Sequence, residues 1–208
     1  MKLQNEIWIP DEDSASFWGK NFEIREYTKL NLSGNLALDI GAHVGIWTQR
    51  LAKDFNQVIA FEPMKKHIEC HRENCKGLDN VTLHTVALSN VTTNAIMTTK
   101  DINSGMSTLI HTESLKWKKE KKTEEVETTT LDSFNLPKID FIKMDVEGWE
   151  ENVLEGAEKT ILTHRPTIYI EIWENKYDLV SRILKNDLKY TITKMAKANY
   201  LCQPIEET

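Results

Sequence analysis

Apolar residues follow two alternating patterns along this chain. The run from Leu36 to Ile40 is short and continuous, which predicts a buried strand. After it, Val44, Trp47, Leu51 and Phe55 recur at the spacing of one helix face. Strands that alternate with helices in this way are typical of an α/β domain built on a parallel sheet.

The same alternation continues toward the C-terminus. In chain order it predicts strand 57–61, helix 64–76, strand 81–88, a helical turn over 131–134, strand 139–144, helix 149–163, strand 167–173, helix 176–186 and a closing hairpin over 190–205. Residues 89–130 break the rhythm, because they are rich in Thr, Asn, Ser and Lys and contain β-like pieces. We therefore expect an antiparallel β insertion after the third strand.

Length and composition suit one globular domain with a short extension. The chain has 208 residues, of which 40% are hydrophobic and 28% are charged. We interpret residues 1–34 as an N-terminal extension or lid and residues 35–208 as the domain.

Charge and hydropathy argue against a membrane or nucleic-acid partner. No apolar run approaches the roughly 20 residues of a spanning helix, and the first residues turn acidic before a signal-peptide core could form. This pattern predicts a cytoplasmic protein. The formal net charge is −6, whereas a nucleic-acid surface needs clustered positive charge.

The cysteines predict neither disulfides nor a metal. Their number, three, is odd and their spacing follows no disulfide framework, so we expect reduced thiols. His67, Cys70, His71 and Cys75 crowd one predicted helix, but one helix cannot place four ligands tetrahedrally around zinc.

A glycine turn between the first strand and its helix is the most informative stretch. Gly41 follows Asp39 by two positions and precedes Gly45 by four, which differs from the Gly-x-Gly-x-x-Gly of a dinucleotide site. A turn glycine allows close backbone approach of a ligand. An acid so near the turn suits a cationic amino-acid group better than a pyrophosphate. A purely structural turn is the alternative.

Carboxylates also lie at the ends of two other predicted strands and within a third. Glu62 ends the second strand, where a carboxylate can accept hydrogen bonds from ribose hydroxyls. Asp145 and Glu147 follow strand 139–144, either as ligand-binding groups or as acids favoured at a helix start. Lys143 and Glu171 lie within apolar strands, and charges in such positions need partners and often mark sites.

Several of these motifs occur together in the order in which one known protein family has them. The chain resembles the FkbM family of S-adenosylmethionine-dependent methyltransferases from about residue 35 to residue 173. The most specific part is Asp-Val-Glu-Gly at 145–148, preceded by Ile-Lys-Met. The motifs that carry the resemblance are Asp39–Gly45, Phe61–Pro63, Val86–Ser89, Thr130–Asp132 and Ile142–Gly148.

The resemblance implies a fold and an activity. The fold is the class I methyltransferase Rossmann-like α/β fold, with a mostly parallel seven-stranded sheet, an antiparallel C-terminal hairpin and a β insertion after the third strand. The cofactor is S-adenosyl-L-methionine. The implied reaction is O-methylation of a hydroxyl on a sugar, a glycan or a small metabolite.

The resemblance also implies roles for the cofactor residues. Asp39 would hold the methionine end, Gly41 would leave backbone room and Glu62 would bind the ribose diol. Ala87 would lie near the adenine, and Asp145 would face the methionine moiety and the methyl group. His43 and Gly45 complete the cofactor turn, with His43 standing where the family usually has Asn.

Methylation of a hydroxyl requires a group that takes its proton. Glu147 and Glu171 are the candidate bases, with His43 third, and Asp145 completes the catalytic group. Ser107 and Thr108 in the insertion are candidate contacts to the acceptor or the cofactor, and an ordinary polar turn is the alternative.

Two other classes of protein stay open. An NAD-dependent Rossmann oxidoreductase would use the same sheet and a similar Glu62, although the missing middle glycine counts against it. A non-catalytic S-adenosylmethionine-binding module is the other, because a fold does not determine a function.

Overall fold

A computed structural model describes residues 1–13, 27–100, 103–110 and 122–206. The strands are β1 (Lys2–Gln4), β2 (Ile7–Ile9), β3 (Gly34–Ile40), β4 (Phe55–Phe61), β5 (Val81–His84), β6 (Ala87–Leu88), β7 (Thr93–Lys100), β8 (Asn103–Ile110), β9 (Lys122–Thr129), β10 (Phe141–Met144), β11 (Thr167–Glu171), β12 (Tyr190–Ala196) and β13 (Asn199–Pro204). The α-helices with both ends described are α1 (Ile46–Asp54), α2 (Lys65–Asn74), α3 (Glu150–Glu155), α4 (Glu158–His164) and α5 (Tyr177–Arg182). The chain continues from α5 into a π-helix, Ile183–Asp187, and forms 3₁₀ turns at Leu131–Ser133 and Glu174–Lys176.

Seven strands form the central sheet in the order β12-β13-β11-β10-β3-β4-β5. The five strands from β11 to β5 are parallel, and β12 and β13 form an antiparallel hairpin beside β11. This arrangement confirms the predicted α/β fold with its closing hairpin. The strand order reverses at β3, since β4 and β5 follow on one side and β10 and β11 on the other. Such a switch point is where open parallel sheets bind ligands.

The sheet is buried on both faces, which explains the continuous apolar run of β3. Leu36, Leu38 and Ile40 belong to the larger core cluster, whereas Ala37 points to the opposite face, where Trp47 of α1 packs. Because side chains alternate along a strand, a strand covered on both faces contains few polar positions. Asp39 is an exception and is fully buried.

The insertion forms a separate four-stranded sheet in the order β6-β9-β7-β8. The predicted third strand, 81–88, ends earlier than expected, because β5 stops at His84 and β6 pairs with β9. The pairs that β7 makes with β8 and β9 are antiparallel, whereas β6 and β9 are parallel. An apolar pattern predicts that a strand forms but not which sheet it joins.

The single helix predicted over residues 149–163 is two helices, α3 and α4, with a break at Gly156 and Ala157. A β-carbon on Gly156 would lie 1.9 Å from the carbonyl oxygen of Ser89. The backbone that leads into the insertion therefore passes directly against this break.

The N-terminal residues dock on α2 and the adjoining loop. Ile7 and Ile9 of the β1–β2 hairpin pack with Val44 and Cys70. Asn74 reinforces this contact, because its side chain exchanges hydrogen bonds of 2.8 and 2.9 Å with the backbone of Trp8. None of the helices within the described ranges is long and apolar enough to cross a membrane.

Candidate active site

A cleft with a volume of about 130 Å³ opens at the carboxyl ends of β3, β4 and β10. Its described lining residues are Ile40, Gly41, Ala42, His43, Val44, Ile46, Trp47, Phe61, Glu62, Pro63, Met64, His67, Val86, Ala87, Leu88, Met97, Leu109, Lys143, Asp145, Val146 and Glu147. The predicted residues Gly41, His43, Glu62, Ala87, Asp145 and Glu147 therefore meet around one cavity.

The glycine turn is held against the ends of both neighbouring strands. The N–H groups of Gly41 and Ala42 both donate to the carbonyl oxygen of Phe61, each at 3.0 Å. Gly41 has a φ of +76°, and a β-carbon there would lie 1.9 Å from the carbonyl oxygen of Asp145. Only glycine fits both this conformation and this contact.

Asp39 lies beneath the cleft and is not among its described lining residues. It is fully buried and accepts a 2.6 Å hydrogen bond from Thr48 Oγ1. Its other carboxylate oxygen, Oδ1, lies 3.6 Å from Nζ of Lys143, the residue opposite it in the β3–β10 register. Lys143 thus stands between Asp39 and the cavity.

Lys143 is a buried cation that connects the turn to the acidic side of the cleft. Its Nζ donates to the carbonyl oxygen of Gly41 at 3.0 Å and lies 3.8 Å from Oδ2 of Asp145. The expectation that a charge within an apolar strand has partners is confirmed for this residue. These contacts explain why a lysine occupies a central strand.

Glu62 is almost fully buried at the edge of the cleft and is held by three donors. Its Oε2 accepts from the N–H of His43 at 2.9 Å, and its Oε1 accepts from the N–H of Met64 at 2.9 Å and from Nδ1 of His67 at 3.1 Å. Burial raises the pKa of Glu62, but the nearby His67 and these hydrogen bonds outweigh it, so the pKa lies below its ordinary value. Glu62 is therefore an ionised, oriented acceptor.

His43 lies beside His67, with the ring centroids 4.0 Å apart. Burial, together with the nearby His67 and Lys143, holds the pKa of His43 well below 6.5. Its ring is therefore neutral at pH 7. The backbone of His43 has a φ of +52°, in the left-handed region that Asn adopts more readily than His.

Gly45 serves helix packing. A β-carbon there would lie 2.9 Å from both Cys75 Sγ and a ring carbon of His71. These residues belong to α2 and the turn that follows it, so Gly45 lets that segment approach the start of α1. Gly45 is not among the described lining residues of the cleft.

Three carboxylates cluster at the ends of β10 and β11. Asp145, Glu147 and Glu171 each place an oxygen within 4.8 Å of the other two, close enough to bind a cation together. Burial first, and then the neighbouring carboxylates, raise the pKa values of Glu147 and Glu171 well above 4.5. Glu171 itself is not among the described lining residues.

The insertion supplies a wall of the cleft that the sequence patterns did not predict. Met97 of β7 and Leu109 of β8 pack with Ala87 and line the cavity. Both are apolar residues within a Thr-rich segment. This contrast between apolar and polar residues is the sequence feature that could have identified the wall. Ser107 and Thr108 belong to β8, but their side chains lie outside the described part of the structure.

The sheet order and the cleft above its switch point define a class I methyltransferase-like α/β fold. The chain belongs to the methyltransferase FkbM family, because the FkbM domain matches residues 39–202. None of the curated proteins matches this chain.

Solved structures show the same fold at low sequence identity. Methyltransferase FkbM from Methylobacillus flagellatus KT is 18% identical with a TM-score of 0.57, and the match covers 85% of this chain but only 45% of that one. A precorrin-6y C5,15-methyltransferase from Geobacter metallireducens GS-15 is 14% identical with a TM-score of 0.54, covering 97% and 95%. An rRNA methylase from Streptococcus thermophilus is 14% identical with a TM-score of 0.51, covering 88% and 95%.

Proposed function

We propose that this chain binds S-adenosyl-L-methionine in the cleft and transfers its methyl group to a hydroxyl of a sugar, a glycan or a small metabolite. The observation that carries the proposal is that Gly41, Glu62 and Asp145, from three different strand ends, converge on one cavity in a chain of the FkbM family. The family alone supports methyl transfer, and the convergence of these residues supports the choice of cofactor.

The residues around the cleft fit this cofactor. Glu62 is an ionised acceptor with oriented oxygens, as binding of the ribose diol requires. Ala87, Met97 and Leu109 offer an apolar surface for the adenine. Asp145 lines the cleft and its side chain is 36% exposed, so a carboxylate is available there for a cationic group.

The protein has two tasks in the reaction. When bound, the cofactor supplies a methyl group on a sulfonium, which is already a good leaving group. The protein must therefore orient the acceptor hydroxyl and accept its proton. We assign the proton to the carboxylate of Glu147, which lines the cleft, with Glu171 nearby as a second carboxylate that raises the pKa of Glu147.

The alternative of an NAD-dependent oxidoreductase is not favoured. A dinucleotide site directs the N–H groups of its glycine turn at the pyrophosphate. Here the N–H groups of Gly41 and Ala42 are occupied by the carbonyl oxygen of Phe61. These two N–H groups are therefore not available to a pyrophosphate.

The nature of the acceptor belongs to the proposal. Structures with this fold include methylases whose names specify an rRNA and a ribosomal protein, so the fold does not select the acceptor. We propose a small acceptor or a glycan because the chain is acidic, with a net charge of −6. We also propose a cytoplasmic location, which is consistent with three cysteines that are buried and free.

Replacement of Glu62 tests the binding site. Glu62→Gln is expected to weaken binding of S-adenosylhomocysteine by about 1–3 kcal/mol, because a charged acceptor is lost and the new amide nitrogen faces backbone donors. Isothermal titration calorimetry measures the change. Glu158→Gln, an exposed substitution on α4, is the matched control. Equal affinity in the Glu62→Gln variant and the parent would remove Glu62 from the site.

The acid cluster predicts a specific dependence of stability on pH. The pKa of Glu147 is higher in the folded chain than its ordinary value of 4.5, so the folded chain binds more protons above that pH. Its stabilising contribution is complete below about pH 4.5 and is lost as the pH rises through the raised pKa. Glu147→Gln cannot lose this proton. Its free energy of unfolding relative to the parent should therefore increase between roughly pH 5 and pH 9 in urea titrations, and a constant difference would contradict the raised pKa.

A further inference from the structure

Lys143 and Asp145 place opposite charges side by side on the wall of the cleft. They are two positions apart at the end of β10, and Nζ of Lys143 lies 3.8 Å from Oδ2 of Asp145. Both residues line the cavity. The proposed function assigns no role to Lys143.

We propose that Lys143 and Asp145 together bind the α-amino-acid end of the cofactor, Lys143 contacting its carboxylate and Asp145 its ammonium group. An α-amino acid carries these two charges on one carbon atom. A cation and an anion held a few ångström apart therefore match it in both charge and spacing. This inference rests on the proposed cofactor and names the residues that bind one end of it.

Lys143, the cation of the pair, is held in place more firmly than Asp145. Among the lining residues that the structure describes, Lys143 is the only lysine or arginine. It is 5% exposed, and its Nζ is held from behind by Asp39 Oδ1 at 3.6 Å and by the carbonyl oxygen of Gly41 at 3.0 Å. These contacts hold the ammonium group at the cavity wall before any ligand binds.

The anionic half is Asp145 rather than Asp39. Asp39 is fully buried, whereas the side chain of Asp145 is 36% exposed at the cleft. The motif position of Asp39 suggested contact with the methionine end, but its place in the structure makes it a partner of Lys143. Glu147 also lines the cleft, but its raised pKa leaves it uncharged over the neutral range.

The competing explanation is that Lys143 is only structural. It could neutralise Asp39 and hold the turn at Gly41 without touching a ligand. Removal of the ammonium group weakens cofactor binding under both explanations. They differ in whether the loss depends on the carboxylate of the ligand.

The test measures affinity by isothermal titration calorimetry for three adenosine thioethers. S-adenosylhomocysteine carries both charged groups, its decarboxylated form keeps only the amine, and 5′-methylthioadenosine has neither. Lys143→Met should weaken binding of S-adenosylhomocysteine roughly 10- to 100-fold more than it weakens binding of the other two ligands. Asp145→Asn should weaken the two amine-bearing ligands and leave 5′-methylthioadenosine unchanged. Lys138→Met, an exposed substitution just before β10, is the control.

A second variant covers the case in which Lys143→Met leaves Asp39 buried without compensation and does not fold. Asp39→Asn with Lys143→Met removes both charges, and its ligand pattern is compared with that of Asp39→Asn alone. An equal loss for all three ligands would overturn the inference and make Lys143 structural. A folded parent chain that binds none of the three ligands would overturn the proposed cofactor, and the inference with it.

Discussion

Glu147→Gln is expected to lower turnover at saturating acceptor by about 10²–10⁴-fold while leaving affinity for S-adenosylhomocysteine within a few-fold. Glu147 lines the cleft, and its oxygens lie beside those of Asp145 and Glu171. Gln keeps the shape of the side chain but cannot accept the proton of a hydroxyl. Because the raised pKa keeps Glu147 protonated in the free chain near neutrality, the parent rate should rise with pH until this group ionises.

Glu171→Gln is the matched control for that experiment. Glu171 belongs to the same cluster but is not among the described residues that line the cleft. We expect a smaller loss of turnover, because its effect passes through Glu147. If Glu171→Gln alone loses turnover, Glu171 is the base. If both variants keep the full rate, neither carboxylate takes the proton.

Gly41→Ala is expected to destabilise the folded chain by roughly 2–5 kcal/mol and to remove cofactor binding. The new β-carbon would lie 1.9 Å from the carbonyl oxygen of Asp145, in a backbone conformation with a φ of +76°. Either the turn or the end of β10 must move, and both border the cleft. Urea unfolding measures the change in stability, and calorimetry measures binding of S-adenosylhomocysteine.

Gly77→Ala separates strain from collision. Gly77 has a φ of +82°, but a β-carbon at this position would have no atom of the described residues within 4 Å apart from its chain neighbours. This variant should therefore show only the cost of the left-handed conformation, about 1–2 kcal/mol. Equal losses of stability in the two glycine variants would show that the contact between Gly41 and Asp145 contributes nothing.

The parallel sheet and the convergence of the site could be predicted because both follow from local patterns. Continuous apolar runs mark strands that are buried on both faces, and the carboxyl ends of parallel strands meet at one edge. Gly41, Glu62 and Asp145 each follow such a run, which is why the sequence could group them. The end of the strand at His84 and the break at Gly156 could not be predicted, since each depends on a distant backbone segment.

The depth at which Asp39 lies shows what sequence patterns miss. A sequence motif indicates where in the sheet a residue lies. How deeply its side chain is buried depends on the neighbouring strand. Asp39 faces Lys143 across the β3–β10 register, so the lysine covers it. The wall formed by Met97 and Leu109 could not be predicted either, since it depends on how the insertion folds over the cleft from outside the central sheet.

Isothermal titration calorimetry of the purified chain with S-adenosylmethionine tests the central claim most directly, with NADH titrated under the same conditions. We expect saturable binding of S-adenosylmethionine at a single site and no binding of NADH. Saturable binding of NADH without S-adenosylmethionine binding, or a folded chain that binds neither, would contradict the claim that this cleft is a methyltransferase cofactor site.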